Sequence, residues 1–484
     1  MEIGDIQRQS LLHFGTSVIV TVLGFLSTMV VTHLSGTPEV PGGYFLFLAY
    51  FGIFSLISSG GLGGAAVTLM STQGGARREE YYTAYLGLRS LLLVISVLLL
   101  LLFSPALIDL SASGLLPWLI GAVVAGSLAD IVGTWLYSAG RAGYTQVSTL
   151  INNLVRIAVQ VIAIICGYGV AGLAGSFIAG ILAGTIVLIP FCRIRTAPCT
   201  WSTAEDLLRF SFWALLSSGG MVMYGNIDTI LIGYYGSPVE VGLYRIALQL
   251  ASFALFSTLA LNSILYPKFA LWRSDSRITW IQGSLARAIS YSLFLAIPVC
   301  VGGTILGDRL LYFLYGSPYA SAGPALTLLL LAQVAYVFVF LWSMTLGALG
   351  QPKKAAIPAL IASAVNIPLN IVLIPAFGIS GASLAVLITV LVHAICAGRA
   401  LAPHFSLIPD IRAIRSILMA NLVMGVVLLI MMALIPITHF LMAAAAVLIG
   451  ALVYLATLVR LERGIDTALG RIMREMGIVL PEWL

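Results

Sequence analysis

Apolar runs of about twenty residues recur along this chain almost without pause, separated by short polar turns. A run of ~20 mainly apolar residues is what crosses ~30 Å of hydrocarbon as a helix. Inside lipid the backbone must satisfy its own hydrogen bonds, which leaves helices or closed barrels, and runs this long read as helices. Fourteen spans are expected, the first seven over 11–34, 43–62, 83–108, 115–139, 147–166, 170–189 and 208–235. The other seven fall over 241–264, 284–306, 324–347, 355–375, 379–398, 414–435 and 440–458. The second is the weakest, because Gly60, Gly61, Gly63 and Gly64 blur its end. Composition agrees: 60% of residues are hydrophobic and 9% charged, against about 25% charged in a soluble domain. A soluble chain of 484 residues would split into two or more domains and need far more charge to cover them. A cytosolic enzyme is excluded, and the fold class is an all-α polytopic membrane protein.

The few charges orient it. With the N-terminus cytoplasmic, the outer loops hold Arg309 as their one basic residue, beside Glu39, Asp109, Glu240 and Asp308, while seventeen basic residues fall inside. Arg89, Arg209, Arg287 and Arg415 sit near inner helix ends, where they can snorkel. The positive-inside rule therefore predicts a multi-pass protein of the cytoplasmic membrane with both termini inside. The net charge of +6 forms no run or patch suited to nucleic acid. Met1 to Ser10 is polar and the first apolar run is too long for a cleaved leader, so no signal peptide is expected. Cys166, Cys192, Cys199, Cys300 and Cys396 lack disulfide-framework spacing and read as small hydrophobes.

The chain repeats itself. Gly140 to Gly172 realigns on Gly350 to Gly381 at an offset of 210 that slips to 209, placing Tyr168-Gly169-Val170-Ala171-Gly172 on Phe377-Gly378-Ile379-Ser380-Gly381. Leu11-Leu12-His13-Phe14 matches Leu207-Leu208-Arg209-Phe210, and Gly43-Tyr44 falls near Gly242-Leu243-Tyr244. The repeat unit is six helices, which predicts two pseudo-symmetric six-helix lobes over 1–200 and 201–402. Two additional helices over 403–460 and a cytoplasmic amphipathic tail over 461–484 complete the layout. An even span count keeps both repeats in one orientation, the parallel arrangement in which transporters place substrate at mid-membrane.

Charge at mid-membrane costs about 2.5–3.5 kcal/mol on insertion scales and marks a cavity or a partner. Arg156 lies near the middle of its span, with Asn153 and Gln160 on the same face at three- and four-residue spacing. The repeat partner carries Ser363, Asn366 and Asn370 in the equivalent places. A substrate-binding set of Arg156, Arg245, Asn153, Gln160, Asn366 and Asn370 follows. Arg156 could instead neutralise Asp130 in the preceding span, and the two amides beside Pro368 could repair backbone bonds freed by the proline. Asp228 and Arg245, near the end of one span and the start of the next, are expected to pair across the hairpin. Asp130 and Asp228 are the candidate charge partners or ion-coupling carboxylates. No phosphate loop of the G-x-x-x-x-G-K-[ST] kind is present, and no Cys/His cluster has zinc spacing, so no cofactor and no metal are expected. Gly61-Leu62-Gly63-Gly64-Ala65-Ala66 fits a dinucleotide fingerprint but follows no strand, and its glycines suit packing or bending.

Several segments resemble a known family. Ile227-Asp228-Thr229-Ile230-Leu231-Ile232-Gly233-Tyr234-Tyr235, Val241-Gly242-Leu243-Tyr244-Arg245-Ile246-Ala247 and Leu265-Tyr266-Pro267 are similar to the middle of the polysaccharide-export flippases. So are Leu349-Gly350-Gln351-Pro352-Lys353-Lys354, the Asn366-to-Pro375 stretch and Phe377-Gly378-Ile379-Ser380-Gly381-Ala382. These are O-antigen-type translocases of the multidrug/oligosaccharidyl-lipid/polysaccharide exporter superfamily. The resemblance implies no enzyme but an alternating-access carrier, with cavity arginines on a polyisoprenyl-pyrophosphate-linked glycan. Arg245 matches the region where lipid-linked cell-wall precursor flippases place a cavity arginine. Their first-span arginine–acid pair has no counterpart, since 11–34 offers only His13 and His33. Partners implied are the lipid-linked glycan, membrane lipids, H+ or Na+ as coupling ion, and glycan-assembly enzymes. The rivals are a cation-coupled drug antiporter, a membrane-embedded glycan polymerase and a non-transporting scaffold.

Overall fold

The structure is a computed structural model that describes residues 3–72, 76–106, 114–192, 194–274, 277–404 and 411–461. The described residues form fifteen α-helices joined by short turns and 3-10 segments, with no strand among them. The first seven are α1 (Ile3–Ser35), α2 (Glu39–Ser59), α3 (Leu62–Thr72), α4 (Ala76–Phe103), α5 (Leu116–Ser138), α6 (Ala142–Ile165) and α7 (Gly169–Leu188). Then come α8 (Trp201–Tyr235), α9 (Pro238–Ala251), α10 (Phe256–Ser274), α11 (Ile278–Tyr315) and α12 (Gly323–Ala348). The last are α13 (Pro352–Leu401), α14 (Ile411–Leu434) and α15 (Phe440–Leu461). Among the described residues eleven helices are long and apolar enough to cross a membrane. The amphipathic tail expected at the C-terminus lies, beyond Leu461, outside the described residues.

Glycines set the breaks. Gly60 and Gly61 both take positive φ (53° and 73°), conformations open to glycine at no steric cost. They end α2 and start the separate short helix α3, where one blurred helix end was expected. Gly378, at φ 57° and ψ −136°, divides the fifty residues of α13 into two helices, at the boundary the apolar pattern predicts. The internal repeat is visible in the turns themselves. Gly140 (φ 71°) and Gly350 (φ 66°) each close a helix. The following residues donate to the carbonyl five positions back, Arg141 to Leu136 and Gln351 to Leu346, the Schellman pattern. Gly169 (φ 52°) and Gly378 (φ 57°) repeat the match at the other end of the unit.

Contacts group the chain into two units, one of 1–245 with 366–382 and one of 246–365 with 383–484. In the first unit an aromatic core gathers Tyr81, Tyr82, Tyr85 and Trp135 with Leu62, Met70 and Leu207. In the second, α11, α12, α14 and α15 bury Leu285, Leu293, Leu341, Ile417, Leu428 and Tyr454 together.

Candidate membrane-embedded site

Two close helix contacts position the site, and both are made of small residues. Along α7, Gly172, Ser176, Gly180 and Gly184 recur every four residues, the spacing that lets membrane helices approach backbone to backbone. A Cβ on Gly180 would stand 2.7 Å from the Asn152 carbonyl oxygen and 3.0 Å from Cβ of Arg156. Ser148 on α6 donates to the Gly184 carbonyl at 2.8 Å. The second contact is reciprocal. A Cβ on Gly42 of α2 would fall 1.7 Å from the Pro238 carbonyl oxygen, and one on Gly242 of α9 2.3 Å from that of Pro38. Pro38 and Gly42 therefore meet their repeat counterparts Pro238 and Gly242 reciprocally, and Tyr44 and Tyr244 stand at equivalent places two residues further along each helix.

Each of those tyrosines anchors a polar cluster. Buried Gln160 on α6 accepts from Ser27 of α1 at 2.7 Å and donates to the Tyr44 hydroxyl at 3.3 Å. One turn away, Arg156 donates to Asn153 at 2.8 Å, and Asn153 donates to the Thr149 carbonyl at 2.7 Å. The Nε of Arg156 is buried and has no hydrogen-bond partner among the described residues. In the other cluster the Tyr244 hydroxyl donates to Asp228 at 3.1 Å, and Asn370 donates to the same carboxylate at 2.6 Å. Asn366 bonds it as well. Gln160 and Asn370 are equivalent at the repeat offset of 210, so one geometry appears twice. In the first copy it is neutral with an arginine beside it; in the second it holds an acid.

Arg245 turns away from that acid. Its guanidinium donates to the Gly225 carbonyl and the Thr229 hydroxyl, each at 3.4 Å, and lies 5.5 Å over the Phe45 ring. The hairpin ion pair expected between Asp228 and Arg245 is therefore replaced. Tyr244, one residue before Arg245, takes the carboxylate, because adjacent helix residues point about 100° apart. Tyr44 and Phe45, neighbours on α2, thus reach the Arg156 cluster and Arg245 respectively. Asn226, in the same stretch, donates to its own Val222 carbonyl at 2.8 Å.

Asp130 does not meet Arg156. It pairs with Arg89 of α4 at 2.7 Å, the one salt bridge among the described residues. Arg89, expected to snorkel, is 1% exposed, and Tyr85 and Thr134 bond to each other beside it. Asn370 also donates to the Asn366 carbonyl at 3.0 Å. The carbonyl that Pro368 orphans is that of Ala364, four residues back, so the amide serves Asp228 rather than that repair. The sequence reading missed Ser27, Tyr44, Phe45, Tyr244 and Arg89. The repeat match of Tyr44 on Tyr244 is the signal that held two of them.

An all-helical, repeat-built bundle with paired polar clusters inside spanning helices is the construction of a membrane transporter. Residues 121–324 match the family described as polysaccharide biosynthesis protein. The chain is 27% identical to the probable flippase AglR of Haloferax volcanii, over 92% of this chain and 94% of that one. It is 23% identical to the probable low-salt glycan biosynthesis flippase Agl15 of the same organism, over 98% and 100%. A solved structure of the lipid II flippase MurJ, in an inward closed conformation, superposes with a TM-score of 0.79 at 18% identity, covering 96% of this chain and 99% of that one. The chain is thus similar to proteins named as glycan-biosynthesis flippases and shares the fold of the MurJ structure. These named relatives are transporters and not enzymes.

Proposed function

We propose that this protein is an alternating-access flippase. It would move a polyisoprenyl-(pyro)phosphate-linked oligosaccharide from the cytoplasmic to the outer leaflet of the cell membrane, with both termini cytoplasmic. The names of its relatives support the flippase reading for glycan biosynthesis, and glycan-assembly enzymes would then supply the substrate. Its two six-helix lobes, over 1–200 and 201–402, would rock about the site. The observation that carries the reading is the state of the two arginines. Neither Arg156 nor Arg245 is within salt-bridge distance of a carboxylate among the described residues. Each guanidinium keeps donors for an anion, and the planar fork of arginine suits a phosphate. Asn153 holds Arg156 in place, Gln160 fixes the neighbouring Tyr44 hydroxyl, and Phe45 supports Arg245. Asp228, held by neutral donors among which Asn370 has a buried, unpartnered Oδ1, is the carboxylate suited to a coupling H+ or Na+.

Two measurements test this. In proteoliposomes, Arg156→Ala and Arg245→Ala should each impair flipping of a labelled lipid-linked sugar while the protein stays folded. Arg156→Lys, which keeps charge but loses the fork, should fall between. Normal flipping by folded Arg156→Ala would sink the assignment. Asp228→Asn should flip at a rate that no longer responds to an imposed proton or sodium gradient, and a preserved response would remove Asp228 from coupling.

A further inference from the structure

Between the end of α10 and the start of α11 lies an open recess of about 460 Å³ lined by Trp272, Thr279, Trp280, Gly283, Ser284 and Arg287, within the ~300–1,000 Å³ range of ligand pockets. Its aromatic wall is preformed. Trp272 and Trp280 meet edge to face at 5.9 Å, and Phe269 backs Trp272 at 5.8 Å. Arg277 lies 4.9 Å over the Trp280 ring. On the facing side Arg287 donates to the Ser284 hydroxyl at 3.4 Å. The floor is open: a Cβ on Gly283 would meet nothing within 4 Å. Among the described residues no acid lines it.

Tryptophan concentrates where membrane meets water. Basic pockets between transmembrane helices on the cytoplasmic side take anionic lipid headgroups. Arginine with serine and threonine hydroxyls supplies the donors a phosphodiester accepts. A free phosphate has no use for two indoles, one of them, Trp280, 55% exposed. We propose that this cavity binds the headgroup of an anionic membrane phospholipid. Arg287, Ser284 and Thr279 take the phosphate, and Trp272 and Trp280 cover the glycerol and first acyl carbons. The site belongs to the second unit, whereas Arg156 and Arg245 both belong to the first.

The full-length protein in detergent would be titrated with phosphatidylglycerol, phosphatidylcholine, a polyprenyl phosphate and inorganic phosphate. Native mass spectrometry would read bound lipid, and the unfolding midpoint its effect. Phosphatidylglycerol should bind the wild type and raise the midpoint, and phosphatidylcholine should bind more weakly. Arg287→Gln should weaken phosphatidylglycerol about fivefold, the share of one basic residue, and Arg287→Lys should restore most of it. Gly283→Leu fills the cavity while keeping every charge, and should weaken binding further. The lipid-free midpoint checks that each variant is folded; should Gly283→Leu fail that check, exposed Arg287→Gln decides. Equal phosphatidylglycerol affinity in wild type and folded variants would overturn the proposal. So would equal binding of phosphatidylcholine, displacement by polyprenyl phosphate at equal concentration, which assigns the cavity to substrate, or displacement by millimolar inorganic phosphate, which makes it a plain anion site.

Discussion

Arg89 is 1% exposed and its partner Asp130 54%, so removing one or the other leaves unequal problems. An orphaned carboxylate that is half open can be hydrated or take up a proton. A guanidinium cannot shed its own, and buried without a partner it stays charged. Asp130→Ala should therefore lower stability by about 3–5 kcal/mol, the usual cost of breaking a buried pair from the side that strands the charge. Arg89→Met should cost less, and the double variant should recover most of the loss from Asp130→Ala. Thermal unfolding in a fixed detergent reads all three; a larger loss for Arg89→Met would reverse the argument. The same residues mark what a linear sequence conceals. Arg156, Asp130 and Asp228 were visible as charges in apolar runs. Their pairings between helices were not, because such a pairing depends on which of two helix faces turns inward, and that is settled by packing. Arg245 and Tyr244 differ by one position and about 100°, and that rotation decides which of them meets Asp228.

Helix spacing here is set by residues that lack side chains. Gly180 lets α7 touch the backbone of α6 beside Arg156, and a leucine there must push α6 away from α7, since its Cβ would already be 2.7 Å from the Asn152 carbonyl oxygen. Gly180→Leu should lower the unfolding midpoint and impair flipping together, whereas Gly143→Ala, on α6 with open space around its Cβ, should be neutral or stabilising by up to about 1 kcal/mol. Equal behaviour of the two variants would show that the close approach does not position the site. At this scale much was legible. The 210-residue offset read from the sequence reappears in the backbone of Gly140 and Gly350, and the Gly378 break separates two apolar runs already told apart by pattern. The separate helix α3 was less so. Four glycines signal a break, but only Gly61, whose Cβ would stand 2.5 Å from the Ser211 carbonyl oxygen, shows that the chain turns there to let α8 come close.

For the whole molecule the charge pattern makes a claim that packing cannot: which end of each helix faces the cytoplasm. With fourteen spans, seventeen basic residues would fall on one side against Arg309 on the other, and because basic loops resist translocation that pattern predicts the orientation. The chain carries its own reporters. Cys166 and Cys199 are both free and exposed, and they flank α7, the first just before it and the second beyond its end. A single crossing between them puts the two thiols on opposite faces whatever the orientation. The charge pattern puts Cys166 outside and Cys199 inside. In intact cells a membrane-impermeant maleimide should therefore label a variant retaining Cys166 alone and spare one retaining Cys199 alone, and permeabilisation should admit label to the second. Labelling of Cys199 alone would invert the topology. Labelling of both in intact cells would mean that α7 does not cross, and the repeat, which gives the first half of α13 and α6 the same direction, would lose its even count of spans.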